Sequence, residues 1–201
     1  MTLPAMILAG GRATRMGGAD KPLLMLGGRS ILSIILARLA TQAGPVALNA
    51  NGDPARYAGF GLPIRPDSLP NHPGPLTGIL AALDWAAERG APHVLTVAGD
   101  TPFFPADLAP RLLAARGPTG LALAASGPID DPRDHPTFGL WPVGLREDLA
   151  ATLNRSEGRV RSFTARHQPG IAVWHDRPFD PFTNINTPGD LARAETLLAA
   201  L

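Results

Sequence analysis

The stretch Leu8–Leu24, LAGGRATRMGGADKPLL, constrains this chain more than any other. Apolar Ala5-Met6-Ile7-Leu8 runs directly into Gly10-Gly11. Gly17-Gly18 follow, with Arg12 and Arg15 between the two pairs. Lys21 closes the segment, and Pro22 stiffens the chain after it. Glycine lets a backbone approach a ligand closely and turn its N–H groups toward it. A concave run of such groups attracts anions, and cations placed on it make a site for a polyphosphate. The expectation is a strand, then a glycine-rich loop, then a phosphate.

The cations sharpen that reading. The chain carries 18 lysines and arginines, and Lys21 is the only lysine, so the other 17 (18 − 1) are arginine. A compact ammonium sits as a point charge between phosphate oxygens in a way that a flat guanidinium does not. Two familiar phosphate loops are excluded. The pattern G-x-x-x-x-G-K-[ST] needs Ser or Thr after the lysine, and Pro22 stands there. The dinucleotide pattern G-x-G-x-x-G needs a glycine where Arg12 stands.

Composition narrows the class. A length of 201 residues suits one domain, and 45% hydrophobic residues build a core and argue against disorder. A net charge of +1 leaves no broad basic face, so no nucleic-acid partner is expected. The absence of cysteine excludes disulfides, thiolate metal sites and cysteine nucleophiles. MTLPAMILAG lacks the basic region of a signal peptide, and the aliphatic run Ile31–Leu36 is too short to span a membrane. A cytoplasmic protein with no membrane partner is expected.

Along the chain, Leu3–Leu8 reads as a buried strand. Ser30 is a good N-cap for a helix over Ile31–Gln42, stopped by Gly44-Pro45. Val46–Leu48 reads as a second strand, Pro54–Tyr57 as a turn of helix, and Leu62–Arg65 as a third strand. A helix over Leu76–Arg89 is followed by a fourth strand, His93–Ala98. Further on, the pattern predicts a helix over Pro105–Arg116 and a strand over Leu121–Ala125. A polar loop, Ile129–Asp134, leads to His135-Pro-Thr137 and a strand over Phe138–Trp141. A helix over Val143–Leu153, another starting near Glu157–Arg161, and a strand over Ile171–Trp174 follow. Phe182–Pro188 is turn-rich, and Thr187 caps a closing helix to about Leu198. Repeated strand–helix–strand units imply a parallel sheet covered on both faces.

Four polar or glycine positions follow the first four strands: Gly10, Asn49, Asp67 and Asp100. In an open parallel sheet, ligands bind outside the carboxyl ends of the strands. Asn and Asp more often cap their own turns, but four successive strand ends favour one shared crevice. His72, His93, His167 and His175 have no metal-ligand spacing. His135 stands apart, because Asp131, Arg133 and Asp134 surround it in a loop expected to reach a second substrate. Trp85, Trp141 and Trp174 read as packing.

LAGGRATRMGGADK resembles L-x-G-G-x-x-x-R-M-G-x-x-x-K, the signature of nucleotidyltransferases, and in particular of the MobA-type molybdenum cofactor guanylyltransferases. Asn49-Ala-Asn51, Asp67-Ser68, Pro73-Gly-Pro-Leu76, Gly99-Asp-Thr-Pro102, Asp134-His-Pro-Thr137 and Asn184-Ile-Asn-Thr-Pro188 resemble further motifs of that family, in its order. One departure is Gly99, where members often carry cysteine. The resemblance implies a three-layer, Rossmann-like α/β nucleotidyltransferase fold with a mainly parallel sheet and an antiparallel strand in the second half. It implies that Leu8, Ala9, Gly10, Gly11, Lys21, Asn49, Asp67 and Asp100 line a GTP site, with Asp100 holding Mg2+. It places a molybdopterin half near Arg159, Asn184 and Asn186, to which His135 is added from its loop surroundings, and adds molybdoenzyme delivery proteins as a further partner class.

The implied chemistry is transfer of GMP from GTP to the terminal phosphate of molybdopterin. Such a phosphate has its second pKa at about 6, so it attacks without a general base. That agrees with the lack of a Ser–His–Asp arrangement. Arg15, Lys21 and the Asp100-bound metal would spread the charge. Transfer of CMP or formation of a nucleoside-diphosphate sugar on the same scaffold is the first alternative. A non-catalytic nucleotide-binding adaptor is the second.

Overall fold

The computed structural model describes residues 3–10, 20–69, 74–155 and 159–200. The organising element is one seven-stranded sheet. Its strands are β1 (Ala5–Leu8), β4 (Val46–Asn49), β5 (Ile64–Arg65), β6 (His93–Ala98), β7 (Ala122–Ser126), β8 (Arg133–Pro142) and β9 (Gly170–Trp174). In space they run β5-β4-β1-β6-β8-β7-β9. Strands β5, β4, β1 and β6 are mutually parallel. Strand β8 is antiparallel to both neighbours, and β7 pairs β9 in parallel. The antiparallel strand expected in the second half is therefore present.

Strands buried on both faces need apolar residues at successive positions. Ala5 and Ile7 of β1 point into one hydrophobic layer and Met6 into the other, and Leu95 and Val97 of β6 oppose Val94 in the same way. The first layer is closed by α1 (Ile31–Leu39), α3 (Leu108–Ala115) and α6 (Pro188–Ala200). The second is closed by α2 (Leu76–Glu88), α4 (Arg146–Asn154) and α5 (Val160–Arg166). The result is the three-layer arrangement expected from the alternation of elements. Trp85, Trp141 and Trp174 are all buried in these layers, as packing residues.

Local chemistry sets the boundaries. The Ser30 hydroxyl accepts from the Ser33 N–H at 3.1 Å and starts α1 where expected. Helix α1 ends at Leu39 rather than Gln42, because Gln42 turns its side chain to other work. Its Nε2 donates to Arg38 O and Pro105 O, and its Oε1 accepts from the Ala109 N–H at 3.0 Å. That tertiary cap explains why α3 begins at Leu108 and not at Pro105. The helix expected over Val143–Leu153 divides into a 3-10 turn, Val143–Leu145, and α4.

Two features depart further from expectation. Met25-Leu26 (β2) and Arg29-Ser30 (β3) form a small hairpin, with Gly27 and Gly28 at φ of 57° and 75° in its turn. The hairpin rests on α6, where the Gly27 N–H donates to Glu195. Strand β8 is ten residues long and takes in Arg133–Thr137, which were expected as loop. Pairing with β7 holds this polar stretch, from Ser126 opposite Arg133 to Ala124 opposite His135. The register then shifts between Leu123 and Ala124. Pro136, which has no N–H to give a ladder, falls at that irregularity.

Candidate functional site

The strand order reverses at β1: β4 and β5 lie on one side of it and β6 on the other. Such a switch point is where an open α/β sheet leaves a crevice beyond its carboxyl ends. Register makes the edge level, because Leu8 is opposite both Asn49 and Ala98, and Asn49 is opposite Arg65. Backbone bonds continue past the last pairs, from the Ala9 N–H to Asn49 O (2.8 Å) and from the Gly99 N–H to Leu8 O (2.9 Å). Leu8, Ala9, Gly10, Asn49, Asp67 and Asp100 thus lie along one edge, as expected. Gly11 and Arg15 lie outside the described residues, as do Arg12 and His72.

Lys21 opens a short 3-10 turn, Lys21–Leu23, with Pro22 in it. Its side chain is three-quarters buried, and its ammonium lies between two oxygens. Asp100 Oδ2 is 3.1 Å away and Asn186 Oδ1 2.5 Å away. The lone lysine of the chain is therefore set at the switch point, against the carboxylate that follows β6. The Lys21 ammonium is thus the cation that balances the Asp100 carboxylate.

A second network closes the β4–β5 end. Asn49 is buried, and its Nδ2 donates to Arg65 O (3.1 Å) and Asp67 Oδ1 (3.0 Å). Asn51 donates to Asp67 Oδ2 at 2.8 Å and to Gly10 O at 3.4 Å, and its own oxygen accepts from the Asp67 N–H at 3.0 Å. The two amides fix the Asp67 carboxylate next to Gly10. A Cβ on Gly10 would meet Asn49, Asn51 and Asp67 at 3.0–3.2 Å. Arg56 ties the end of the first loop to this network, donating to both oxygens of Asp20 and to Asn51 O.

Gly78 in α2 is the wall behind Asn49. A Cβ there would lie 2.4 Å from Asn49 Oδ1 and 3.2 Å from Leu8 Cδ2. Alanine favours a helix interior by about 1 kcal/mol over glycine. Here it would push a short, buried amide off two hydrogen bonds, which costs about 1–3 kcal/mol for each group left unsatisfied. Gly78→Ala is therefore expected to lower the melting temperature in a thermal melt. A stabilised variant would show that Asn49 moves without loss.

The C-terminal half reaches the same point through residues 184–190. The Ile185 N–H donates to Asp100 O at 2.8 Å. Asn184 approaches through Thr101, whose hydroxyl is 3.2 Å from Asn184 Oδ1 and 3.3 Å from Asp100 Oδ1. The segment is fixed from behind by Asp190. Asp190 Oδ2 accepts from the Asn186 N–H, the Thr187 N–H and the Thr187 hydroxyl at 2.8–3.0 Å, while Thr187 Oγ1 caps α6 by accepting from the Asp190 N–H. The Thr187 hydroxyl, helped by the two backbone N–H groups and Arg193, holds the Asp190 carboxyl below its ordinary range.

His135 and Arg159 are placed elsewhere. His135 lies on β8 rather than in a loop, with its ring stacked on Phe182 at 4.5 Å and its Nε2 2.7 Å from Ser126 Oγ. Burial pushes its pKa down, partly offset by Asp180. Its environment is that of a packed, neutral ring, beside a cavity of about 330 Å³ lined by Ser126, Arg133, Asp176 and Asp180 among others. Among the described residues, no hydrogen bond joins it to Asn184, Asn186 or Arg159. Arg159 is exposed at the N-cap of α5. His167 pairs with Asp148 at the end of α5.

Asn51, Thr101 and Asp190, which bond to the candidate set, and Arg56, which bonds to Asn51, were not singled out from the sequence. Asn51 carried a signal, since it is two residues beyond Asn49 in a quoted motif. Thr101 was quoted only as a neighbour of Asp100. Arg56 carried none. Among the described residues there is no group of three or more His, Cys, Asp or Glu side chains that could hold a metal. A cation at Asp100 would need oxygens from a ligand.

A level parallel edge that gathers a lysine, a carboxylate and several amides at a switch point defines a nucleotide-handling α/β protein, of the nucleotidyltransferase class. The model of the MobA-like NTP transferase domain matches residues 5–170. The molybdenum cofactor guanylyltransferase of Bradyrhizobium sp. (strain ORS 278) is 50% identical over 202 residues, covering 98% of this chain and 93% of that protein. The molybdenum cofactor guanylyltransferase of Cereibacter sphaeroides is 50% identical over 199 residues, covering 98% of each. In fold, the chain is similar to molybdopterin-guanine dinucleotide biosynthesis protein A from Archaeoglobus fulgidus, with a TM-score of 0.71, 21% identity and coverage of 99% and 100%. The chain belongs to the molybdenum cofactor guanylyltransferase family.

Proposed function

We propose that this protein transfers GMP from GTP to the terminal phosphate of molybdopterin and releases pyrophosphate, forming the guanine dinucleotide form of the molybdenum cofactor. The observation that carries this reading is the Lys21 ammonium held between Asp100 and Asn186. It sets a phosphate-binding cation where the two halves of the chain meet. In this reading the chain is one nucleotidyltransferase domain working in the cytoplasm. The nucleotide lies along Leu8, Ala9, Gly10, Gly11, Asn49 and Asp67. The second substrate lies toward Arg159, Asn184 and Asn186, with His135 contributing packing. No helix among the described residues is long and apolar enough to cross a membrane.

In the reaction, an oxygen of the molybdopterin phosphate attacks the α-phosphorus of GTP. A new P–O bond forms, the bond from the α-phosphorus to the bridging oxygen breaks, and pyrophosphate leaves with the electron pair. The nucleophile is already ionised, with a second pKa of about 6, so no residue has to take a proton. Lys21 meets the negative charge that shifts onto the phosphate oxygens, and Arg15 supplies a further cation. Asn49 and Asn51 keep the Asp67 carboxylate fixed beside Gly10.

Mg2+ fits the residues present. Asp100 offers a hard carboxylate oxygen at the sheet edge, and Mg2+ characteristically binds one or two carboxylates together with substrate phosphates and water. Asp100 would hold it, and when bound it would supply positive charge that neutralises the triphosphate. The guanine preference rests on the family and on Leu8-Ala9-Gly10-Gly11, a version of the signature that resembles the guanine-nucleotide members. Incubation with Mg2+, molybdopterin and each of the four nucleoside triphosphates in turn tests it. Pyrophosphate release is expected with GTP above the others, and equal turnover of CTP and GTP would overturn the assignment.

A further inference from the structure

We propose that Thr101 is a positioning residue for the second substrate. Its hydroxyl holds Asn184 by the amide oxygen and leaves the amide N–H groups for an anionic phosphate. The inference rests on the reaction above and adds how its second half is aligned.

A threonine hydroxyl has one proton to give. Thr101 is fully buried, and two oxygens compete for that proton: Asn184 Oδ1 at 3.2 Å and Asp100 Oδ1 at 3.3 Å. The Asp100 carboxylate already receives the Lys21 ammonium on its other oxygen at 3.1 Å. The amide oxygen of Asn184 has no other donor among the described residues. The shorter of the two contacts is the one to the amide oxygen, and the proton is assigned to it. Asn186 is held in the same sense, by its Oδ1 against Lys21.

Two amides, two residues apart, are thus both anchored through oxygen. Ile185 between them is buried and bonded through its N–H to Asp100 O, and Asp190 holds the next two backbone N–H groups. These bonds fix the backbone of the segment, and turning an amide over would break its own anchor, Thr101 for Asn184 and Lys21 for Asn186. An amide anchored by its oxygen turns its two N–H donors away from the anchor. Such a pair of donors is the complement of a phosphate monoester dianion, which only accepts. Asn184 is exposed, so its donors are reachable. In this arrangement the orientation of the nucleophilic phosphate depends on a hydroxyl that never touches it.

Thr101→Val keeps the shape and removes the hydroxyl, while Thr101→Ser keeps the hydroxyl. Steady-state kinetics with both substrates varied, beside a thermal melt, reads the result. Thr101→Val is expected to raise KM for molybdopterin about tenfold, with KM for GTP changed by less than about twofold, and Thr101→Ser to restore it. An unchanged molybdopterin KM in Thr101→Val, a parallel rise in the GTP KM, or equal loss in the Ser variant would each overturn the proposal. Should Thr101→Val melt below the assay temperature, Asn184→Asp decides. It keeps an oxygen for Thr101 but replaces the N–H donors with a second oxygen. Its molybdopterin KM must rise by more, about thirtyfold, and an unchanged value would overturn the proposal. A wild-type protein that turns over no pair of substrates would remove the reaction and this inference together. An active wild type with a silent Thr101→Val removes the inference alone.

Discussion

Asp100→Asn is expected to lose at least about a hundredfold in turnover while remaining folded. The substitution keeps the shape of the side chain and removes only the charge. A neutral amide is a poor ligand for a hard dication. It also leaves the Lys21 ammonium with no carboxylate beside it, so the resting position of the cation changes as well. The stability effect is small but not zero. The ion pair is partly exposed, with side-chain exposures of 22% and 19%. Pairs of this kind contribute about 1 kcal/mol or less. In a chain of this size that is a fall of about 2–4 °C in melting temperature. Pyrophosphate release and a thermal melt on the same preparation separate the two effects. A well-folded Asp100→Asn protein with wild-type release would refute the metal assignment and most of the mechanism.

The parts of this molecule that sequence reveals are those with a period or a punctuation mark. Continuous apolar runs such as Ala5–Leu8 and His93–Ala98 have to be buried on both faces, which gives parallel strands under two layers of helices. Ser30 and Thr187 mark helix starts through their own hydroxyls. Gly10, Asn49, Asp67 and Asp100 could be seen to share an edge because each follows such a run, and a common register makes that edge level. Lys21 stood out because no other lysine exists.

What was illegible depends on partners distant in the chain. Arg133–Thr137 looks like loop because it is polar, and only the ladder with β7 makes it strand. The start of α3 is decided by Gln42, 67 positions away from the Ala109 N–H that it caps. His135 has acidic and basic neighbours in sequence that suggest a ligand-facing loop. Its ring stacks on Phe182 and pairs with Ser126, neither of which is in that loop. The same limit hid the join between the halves. Nothing local says that Lys21 meets Asn186, 165 residues on, or that a threonine beside Asp100 meets Asn184. The family resemblance implied two half-sites, and the contacts of Lys21 with Asn186 and of Thr101 with Asn184 bring residues of both together.

That contact makes Lys21 the position where a substitution should be felt by both halves. Lys21→Ala is expected to reduce turnover by a factor of at least about thirty, or about 2 kcal/mol of transition-state stabilisation. The loss has two sources. On the proposed mechanism the cation that meets charge developing on the phosphates is gone, and Asn186 and Asp100 lose the group that holds them together. Lys21→Arg is expected to rescue little. The ammonium occupies a narrow position, 3.1 Å from one oxygen and 2.5 Å from the other, on a three-quarters buried stem. A planar guanidinium is wider and presents its N–H groups as a fixed fork. The chain tolerates arginine at every other cationic position, so charge alone does not explain a lysine here. The measurement is pyrophosphate release by wild type, Lys21→Ala, Lys21→Arg, Asn186→Ala and the Lys21→Ala/Asn186→Ala double variant. If Lys21 acts partly through Asn186, the double variant should lose less than the product of the two single losses. Full multiplicativity would make the two residues independent, and near-normal turnover by Lys21→Ala would show that the phosphates are bound somewhere else.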